Sequence, residues 1–196
     1  GPRILMAEEK RSSEIVKAIS DALKQISEDN NFSSVHVLLP EKKEIENFSN
    51  EDFSLRTSYS FHWFNKSYKN FDQFLDDMTS RQRKNIRKER AKITDQGISV
   101  LKITGDEITT EMIETFYQFY QVTYLKRGMR GYLNFDFFKK IIELIPESIL
   151  LVMAKNSIGE YVAGALNFFD DKKLYGRYWG CLEEYDSLHF ETCYYQ

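Results

Sequence analysis

Three strand-forming runs near the C-terminal end leave this chain little choice of sheet. SILLVMAK (148–155), EYVAGALNFF (160–169) and KLYGRYWGC (173–181) are rich in β-branched, aromatic and large apolar residues. The connections between them, Asn156–Gly159 and Asp170–Lys172, are far too short for a parallel crossover, which takes roughly a dozen residues or more. They have the length and composition of hairpin turns, so the three runs are expected to pair as an antiparallel meander.

The flanking segments are placed by periodicity and stop signals. A basic helix over 80–95 ends at Gly97, and ISVLKI (98–103) is expected as a fourth strand at the edge of the sheet. Helices follow over about 107–126 and 134–145, the second stopped by Pro146, and they should cover the faces of the sheet. A last helix should begin near Leu188, with Ser187 or Asp186 as its N-cap. In the first part, Ile15, Val16, Ile19, Leu23 and Ile26 recur at helical spacing, predicting an amphipathic helix over 8–29. SVHVLL (34–39), closed by Pro40, and FSLRTSYSFHW (53–63) read as strands. EKKEIENFSN (41–50) and FDQFLDDM (71–78) read as short helices. The expected class is α/β in the α+β sense: a mixed or antiparallel sheet flanked by helices.

Size and composition narrow the function classes. At 196 residues and 42% hydrophobic, with 15 Phe and 12 Tyr, the chain can bury a real core, in one domain or two small lobes. No apolar run approaches the roughly 18 residues that span a bilayer. Two cysteines, Cys181 and Cys193, make no disulfide framework, which favours a reducing cytoplasm. Nothing at the N-terminus resembles a signal peptide. Both ends look cut: the chain opens GPRILMAEE without an initiator methionine and closes on HFETCYYQ, an interrupted helix. It is therefore read as a fragment.

Charge is distributed unevenly. The chain holds 27 Lys+Arg against 30 Asp+Glu, yet 81–92 contains seven cations and one acid. That leaves 20 cations and 29 acids elsewhere, so a segment of +6 sits on a background of −9. On a helical wheel Ile86 and Ile93 mark the buried side, with Arg83, Arg87 and Arg90 on a stripe beside it. Arg81, Lys84, Lys88 and Lys92 point to solvent. Guanidinium suits bidentate, partly buried contacts to phosphate or carboxylate, whereas ammonium acts as a hydrated point charge. The segregation favours an anion cleft lined by the arginines, with a polyanionic partner: aminoacyl-tRNA, a nucleotide-linked cell-wall precursor, or CoA. The bland alternative is a solvated face whose cations pair with Asp72, Asp76 and Asp77.

The element order from the basic helix onward matches the opening of the GNAT acyltransferase fold, and the first part matches that fold's closing elements. The phrases GPRIL, SSVHVLLP, FHWFNKSYKNFDQFLDDMTSRQRKNIRKERAKI, ITGDEI, LYGRYWGC and LHFETCYYQ go further, and together resemble the FemAB-like family. The resemblance covers nearly the whole chain. It implies peptidoglycan biosynthesis, kinship with the Fem aminoacyltransferases of the GNAT superfamily, and transfer of an acyl or aminoacyl group to an amine. It also implies an incomplete tandem GNAT-like fold. Residues 1–78 would be the C-terminal part of a first lobe and 79–196 the N-terminal part of a second.

Fem enzymes take their group from charged tRNA, ordinary GNAT enzymes from acyl-CoA. The GNAT pyrophosphate loop, Arg/Gln-x-x-Gly-x-Gly/Ala, corresponds here to RYWGCL: Arg177 and Gly180 fit, but Leu182 replaces the last small residue. A bulky side chain there obstructs the backbone's approach to a pyrophosphate, which weighs against acyl-CoA as donor.

Candidate chemistry gathers near the C-terminal end. His189, Cys193 and Gln196 would share a helical face, with Glu191 pointing elsewhere. His189 is the natural general base for an attacking amine. Cys193 could be a nucleophile, though a buried, inert thiol is the stronger reading. A zinc site from His62, His189 and Cys193 lacks paired ligand spacing, so no metal is expected. Strand alternation puts Arg177 beside Tyr175 and Trp179, where it would hold an anionic group, stabilise an oxyanion or stack in a cation–π contact. Trp63, Tyr175 and Trp179 could line a substrate groove, or belong to the core. The first reading is therefore a transferase with catalytic His189 and Arg177. Its rivals are a non-catalytic module binding RNA or a cell-wall anion, and an ordinary acyl-CoA-dependent N-acetyltransferase.

Overall fold

The computed structural model describes residues 2–7 and 12–196, and the chain divides into two compact units, Gly1–Phe64 and Asn65–Gln196. In the second unit the meander forms as the short connections require. Strands β1 (Ser99–Thr104), β2 (Ile149–Lys155), β3 (Tyr161–Phe169) and β4 (Leu174–Cys181) lie in that spatial order, antiparallel throughout. Register runs Ile103↔Leu151 between β1 and β2, Leu151↔Leu166 between β2 and β3, and Gly164↔Gly180 between β3 and β4.

Both faces of this sheet are covered. Helices α5 (Thr110–Leu125) and α6 (Phe135–Leu144), capped by Thr109 and Asn134, bury Ile113, Phe116, Phe119, Tyr120 and Phe138 on Ile149, Leu151, Met153 and Leu166. The opposite face, with Ala154, Val162 and Ala163, receives Ile93 from α4 (Ser80–Asp95) and Leu188 from α7 (Leu188–Phe190). Helix α4 starts in a capping box, Thr79 with Gln82. It ends in a Schellman turn: Gly97 N–H bonds to Thr94 and Ile98 N–H to Ile93, with Gly97 at φ +73°. Helix α3 (Phe71–Asp76) precedes it.

The first unit is helical. Its α1 (Ser13–Asp29) and α2 (Lys42–Ser49) bury Val16 and Phe48, and the Glu44 carboxylate accepts the backbone N–H groups of Arg3, Ile4 and Glu41. The start expected for α1 at 8–11 lies outside the described residues. The strands expected at 34–39 and 53–63 do not form: both segments lack strand pairing, and Leu39 sits at φ +52°. β-Propensity needs a neighbouring strand to act on, and no strand of this unit supplies one among the described residues. Tyr59 and Phe61 are 89% and 97% exposed. No described helix is long and apolar enough to cross a membrane.

Candidate functional site

The arginine stripe of α4 is paired along its length. Arg83 Nη1 lies 3.0 Å from Asp76 Oδ1, and Arg87 Nη2 lies 3.4 Å from Asp72 Oδ1. Arg83 is half-buried but Arg87 is exposed, and the two reach acids of α3 instead of converging on open space. Arg81, Lys84 and Lys88 are exposed as the wheel requires, while Lys92 is half-buried and pairs with Asp186. Ile86 is half-buried and Ile93 fully buried.

Arg90 is held most firmly. Its Nε donates to both Glu191 oxygens at 3.1 Å and its Nη2 to Oε1 at 2.9 Å. Its guanidinium also stands 4.5 Å over the Phe71 ring. Glu191 is 6% exposed and Arg90 34%, so a buried carboxylate meets a cation that still touches solvent. The pair forms one wall of a shallow cleft of about 600 Å³, completed by Thr94, Ile98, Ser99 and Gln196. The wheel turned Glu191 away from Gln196, but α7 continues as a π-helical turn, Glu191–Tyr195. The i→i+5 bonding of that turn brings 191 and 196 together, and Gln196 donates to Glu191 through both backbone and side chain. Glu191 is thus the polar residue that the sequence reading passed over. An acid four residues from the end of an aromatic run was its only signal.

On β4 the alternation is broken at Arg177. Leu166 pairs with Tyr178 and Asn167 with Gly176, so Arg177 is the extra residue of a β-bulge. The expected neighbourhood with Trp179 is therefore replaced. Arg177 stacks on the Tyr178 ring at 4.8 Å, and its Nη2 donates to Tyr132 Oη at 2.9 Å. Tyr132 and Tyr178 share a hydrogen bond of 3.0 Å between hydroxyls, and both rings meet Tyr120 edge-on. Burial pushes the Tyr178 phenol up to about 12, with the Tyr132 hydrogen bond adding to it. Tyr175 remains exposed, paired opposite Phe168.

Trp179 turns to the other face, packs beside the Ile93–Ala154–Leu188 cluster and meets the His189 ring at a tilt, centroids 5.1 Å apart. His189 also touches Phe190 and Tyr194, and partial burial lowers its pKa below the ordinary histidine value. Its ring is neutral at pH 7 and able to accept a proton. His189 and Arg177 thus contact opposite faces of β4, the edge strand. Burial pushes the Cys193 thiol up to about 12 and raises Cys181 as well, so neither is a thiolate at neutral pH. Neither Ser187 nor Asp186 caps α7 with its side chain; Ser187 sits at φ +67°. Trp63 lies in the exposed stretch of the first unit, and no group of three or more His, Cys, Asp or Glu among the described residues could hold a metal ion.

Gly180 has a packing role. A Cβ there would stand 2.2 Å from the Phe119 carbonyl oxygen, and Thr123 Oγ1 donates to Trp179 O at 3.0 Å across the same contact. The glycine lets α5 lie directly on β4. The backbone around it is committed to the sheet: Gly180 faces Gly164, Cys181 faces Ala163, and Leu182 N–H donates to Val162 O at 2.9 Å. The segment RYWGCL is thus strand through Cys181, with Leu182 bonded to β3.

Compared with known families, residues 1–196 match the model for FemAB-like proteins, described as peptidoglycan biosynthesis/recognition. No curated protein matches the chain.

Proposed function

Because the chain belongs to the FemAB-like family, we propose that it forms part of an aminoacyltransferase acting on a peptidoglycan precursor. The match over the whole of 1–196 carries this reading. The amine of the acceptor attacks the carbonyl of an aminoacyl ester: the N–C bond forms as the amine proton passes to neutral His189, and the C–O bond breaks as that proton is returned to the departing ester oxygen, which leaves as a hydroxyl. Trp179 holds the imidazole in place from one side. Backbone N–H groups stabilise the oxyanion. Arg177, on the other face of the edge strand, anchors an anionic group remote from the reacting carbonyl. The commitment of residues 180–182 to sheet pairing favours aminoacyl-tRNA over acyl-CoA as donor. It disfavours an ordinary N-acetyltransferase.

A tandem GNAT-like architecture, with the end of one lobe in 1–78 and the start of a second in 79–196, fits the element order. The compact units divide after Phe64, which places α3 with the second. The basic helix would then draw in tRNA through its long-range field, and a cytoplasmic setting supplies both tRNA and precursor.

The test is transfer of labelled amino acid from tRNA to a nucleotide-linked precursor peptide by the intact protein, with and without His189→Ala. Transfer that is lost in the variant supports the reading. Precursor binding without transfer by any donor would instead make the protein a recognition module.

A further inference from the structure

The run LKRGMRGY (125–132), which joins α5 to α6, sets apolar side chains and cations side by side at the surface. Leu125, Met129 and Tyr132 are each at least half exposed. Lys126, Arg127 and Arg130 are interleaved with them and exposed as well. No acid occurs between Glu114 and Asp136, although the chain as a whole is acidic. Lys126 pairs with Glu184, while among the described residues no carboxylate pairs with Arg127 or Arg130. The loop is also stiffly built. Helix α5 closes in a Schellman turn: Gly128 N–H bonds to Leu125 and Met129 N–H to Tyr124, with Gly128 at φ +70°. Gly131 passes so close to the Tyr120 ring that a Cβ there would stand 2.4 Å from it, and Leu133 N–H donates to Tyr120 Oη at 3.1 Å. The backbone that presents these side chains is thus fixed before any partner arrives.

We infer that this loop docks on the surface of an anionic lipid bilayer. Leu125 and Met129 enter the headgroup layer, and Lys126, Arg127 and Arg130 meet the acidic headgroups. Charge complementarity selects an anionic partner, and the aliphatic side chains select a lipid one. Membrane-surface segments combine these two features: apolar groups sink toward the acyl boundary beneath cations that attract acidic lipids. RNA would use the cations and the Tyr132 ring, but a leucine and a methionine offer it neither a stacking face nor a donor. The contact is peripheral, since no described helix is long and apolar enough to cross the bilayer. The inference goes beyond the transfer reading and does not depend on it.

The experiment is co-sedimentation of the 196-residue chain with vesicles, at low and physiological salt. One arm uses phosphatidylcholine alone and the other phosphatidylcholine mixed with phosphatidylglycerol. The methionine methyls are ¹³C-labelled, and a spin-labelled lipid reports which of them nears the bilayer. Binding to the mixed vesicles is expected to be tighter on the order of tenfold or more, and to weaken with salt. The Met129 methyl signal should broaden while that of buried Met153 persists. Arg127→Gln with Arg130→Gln should weaken binding on the order of twentyfold, about fivefold for each charge lost near an anionic surface. Leu125→Ser with Met129→Ser should weaken it severalfold at either salt concentration. All four positions are exposed, so these variants should fold, which circular dichroism verifies. Absence of binding to the mixed vesicles overturns the inference. So does binding that survives both double variants but is lost in Lys84→Gln with Lys88→Gln on α4. Loop variants that lose tRNA binding while keeping vesicle binding would assign the loop to RNA and overturn it as well.

Discussion

Arg90 and Glu191, 101 residues apart in sequence, meet in a bidentate pair that joins the basic helix to the C-terminal π-helical turn. The pair is asymmetric, because the carboxylate is buried while the guanidinium keeps a third of its side chain in solvent and a second contact on Phe71. The most conspicuous basic segment of the sequence is therefore tied down at one end by a structural contact.

Arg90→Ala should destabilise the chain by about 2–3 kcal/mol, below the full range for broken buried pairs because Arg90 is partly exposed. Glu191→Gln should cost less, since the freed guanidinium can hydrate and still stack on Phe71. Urea denaturation of both variants checks the ordering, and a larger loss for the glutamine variant would contradict it.

Gly180→Ala drives a methyl into the Phe119 carbonyl, 2.2 Å away, which only a shift of α5 relieves. A loss of about 3 kcal/mol, the upper end for overpacking, is expected. At Gly164 the nearest atom is Met153 Sδ at 2.7 Å, the flexible end of a side chain. Gly164→Ala should therefore cost about 1 kcal/mol. Thermal unfolding of the pair gives the comparison.

His189 should titrate below the free histidine value, because burial disfavours its charged form. The unfolded chain binds this proton more readily, so stability is fully present above about pH 6.5 and falls as pH drops through that value toward the folded pKa. If His189 is the base, transfer should rise through the same lowered pKa. A histidine NMR titration and a pH–rate profile of the intact protein would report one value between them.

Cys193, with its thiol raised to about 12, should resist alkylation by iodoacetamide near pH 8 until the protein is unfolded. Rapid labelling of the folded chain at Cys193 would reopen the nucleophile reading. Cys193→Ala should retain transfer.

Asp72 and Asp76 hold Arg87 and Arg83 at the surface, where such pairs contribute about 1 kcal/mol or less. Asp72→Asn with Asp76→Asn should scarcely change stability. It should tighten tRNA binding several-fold at low salt, with the gain fading as screening increases. Unchanged affinity would leave the segment as a solvated basic face.

Local rules reached a long way in the second unit. Periodicity and stop signals placed α4, α5 and α6 to within a few residues, and two short connections alone required the meander, because hairpin length leaves no other pairing. The phrases spread along the chain were enough to indicate its family. What failed were the features set by distant partners. The runs at 34–39 and 53–63 have the composition of strands but no strand to pair with. Arg177 changed neighbours because a single bulge shifted the register, and Glu191 joined Gln196 because a π turn replaced the assumed α geometry. Whether the arginines of α4 face a ligand or an acid of the same chain also depended on where α3 and the C-terminal turn came to lie. Periodicity and capping are local interactions written within a few residues; pairing, register and burial are contacts between segments, and only the folded chain decides them.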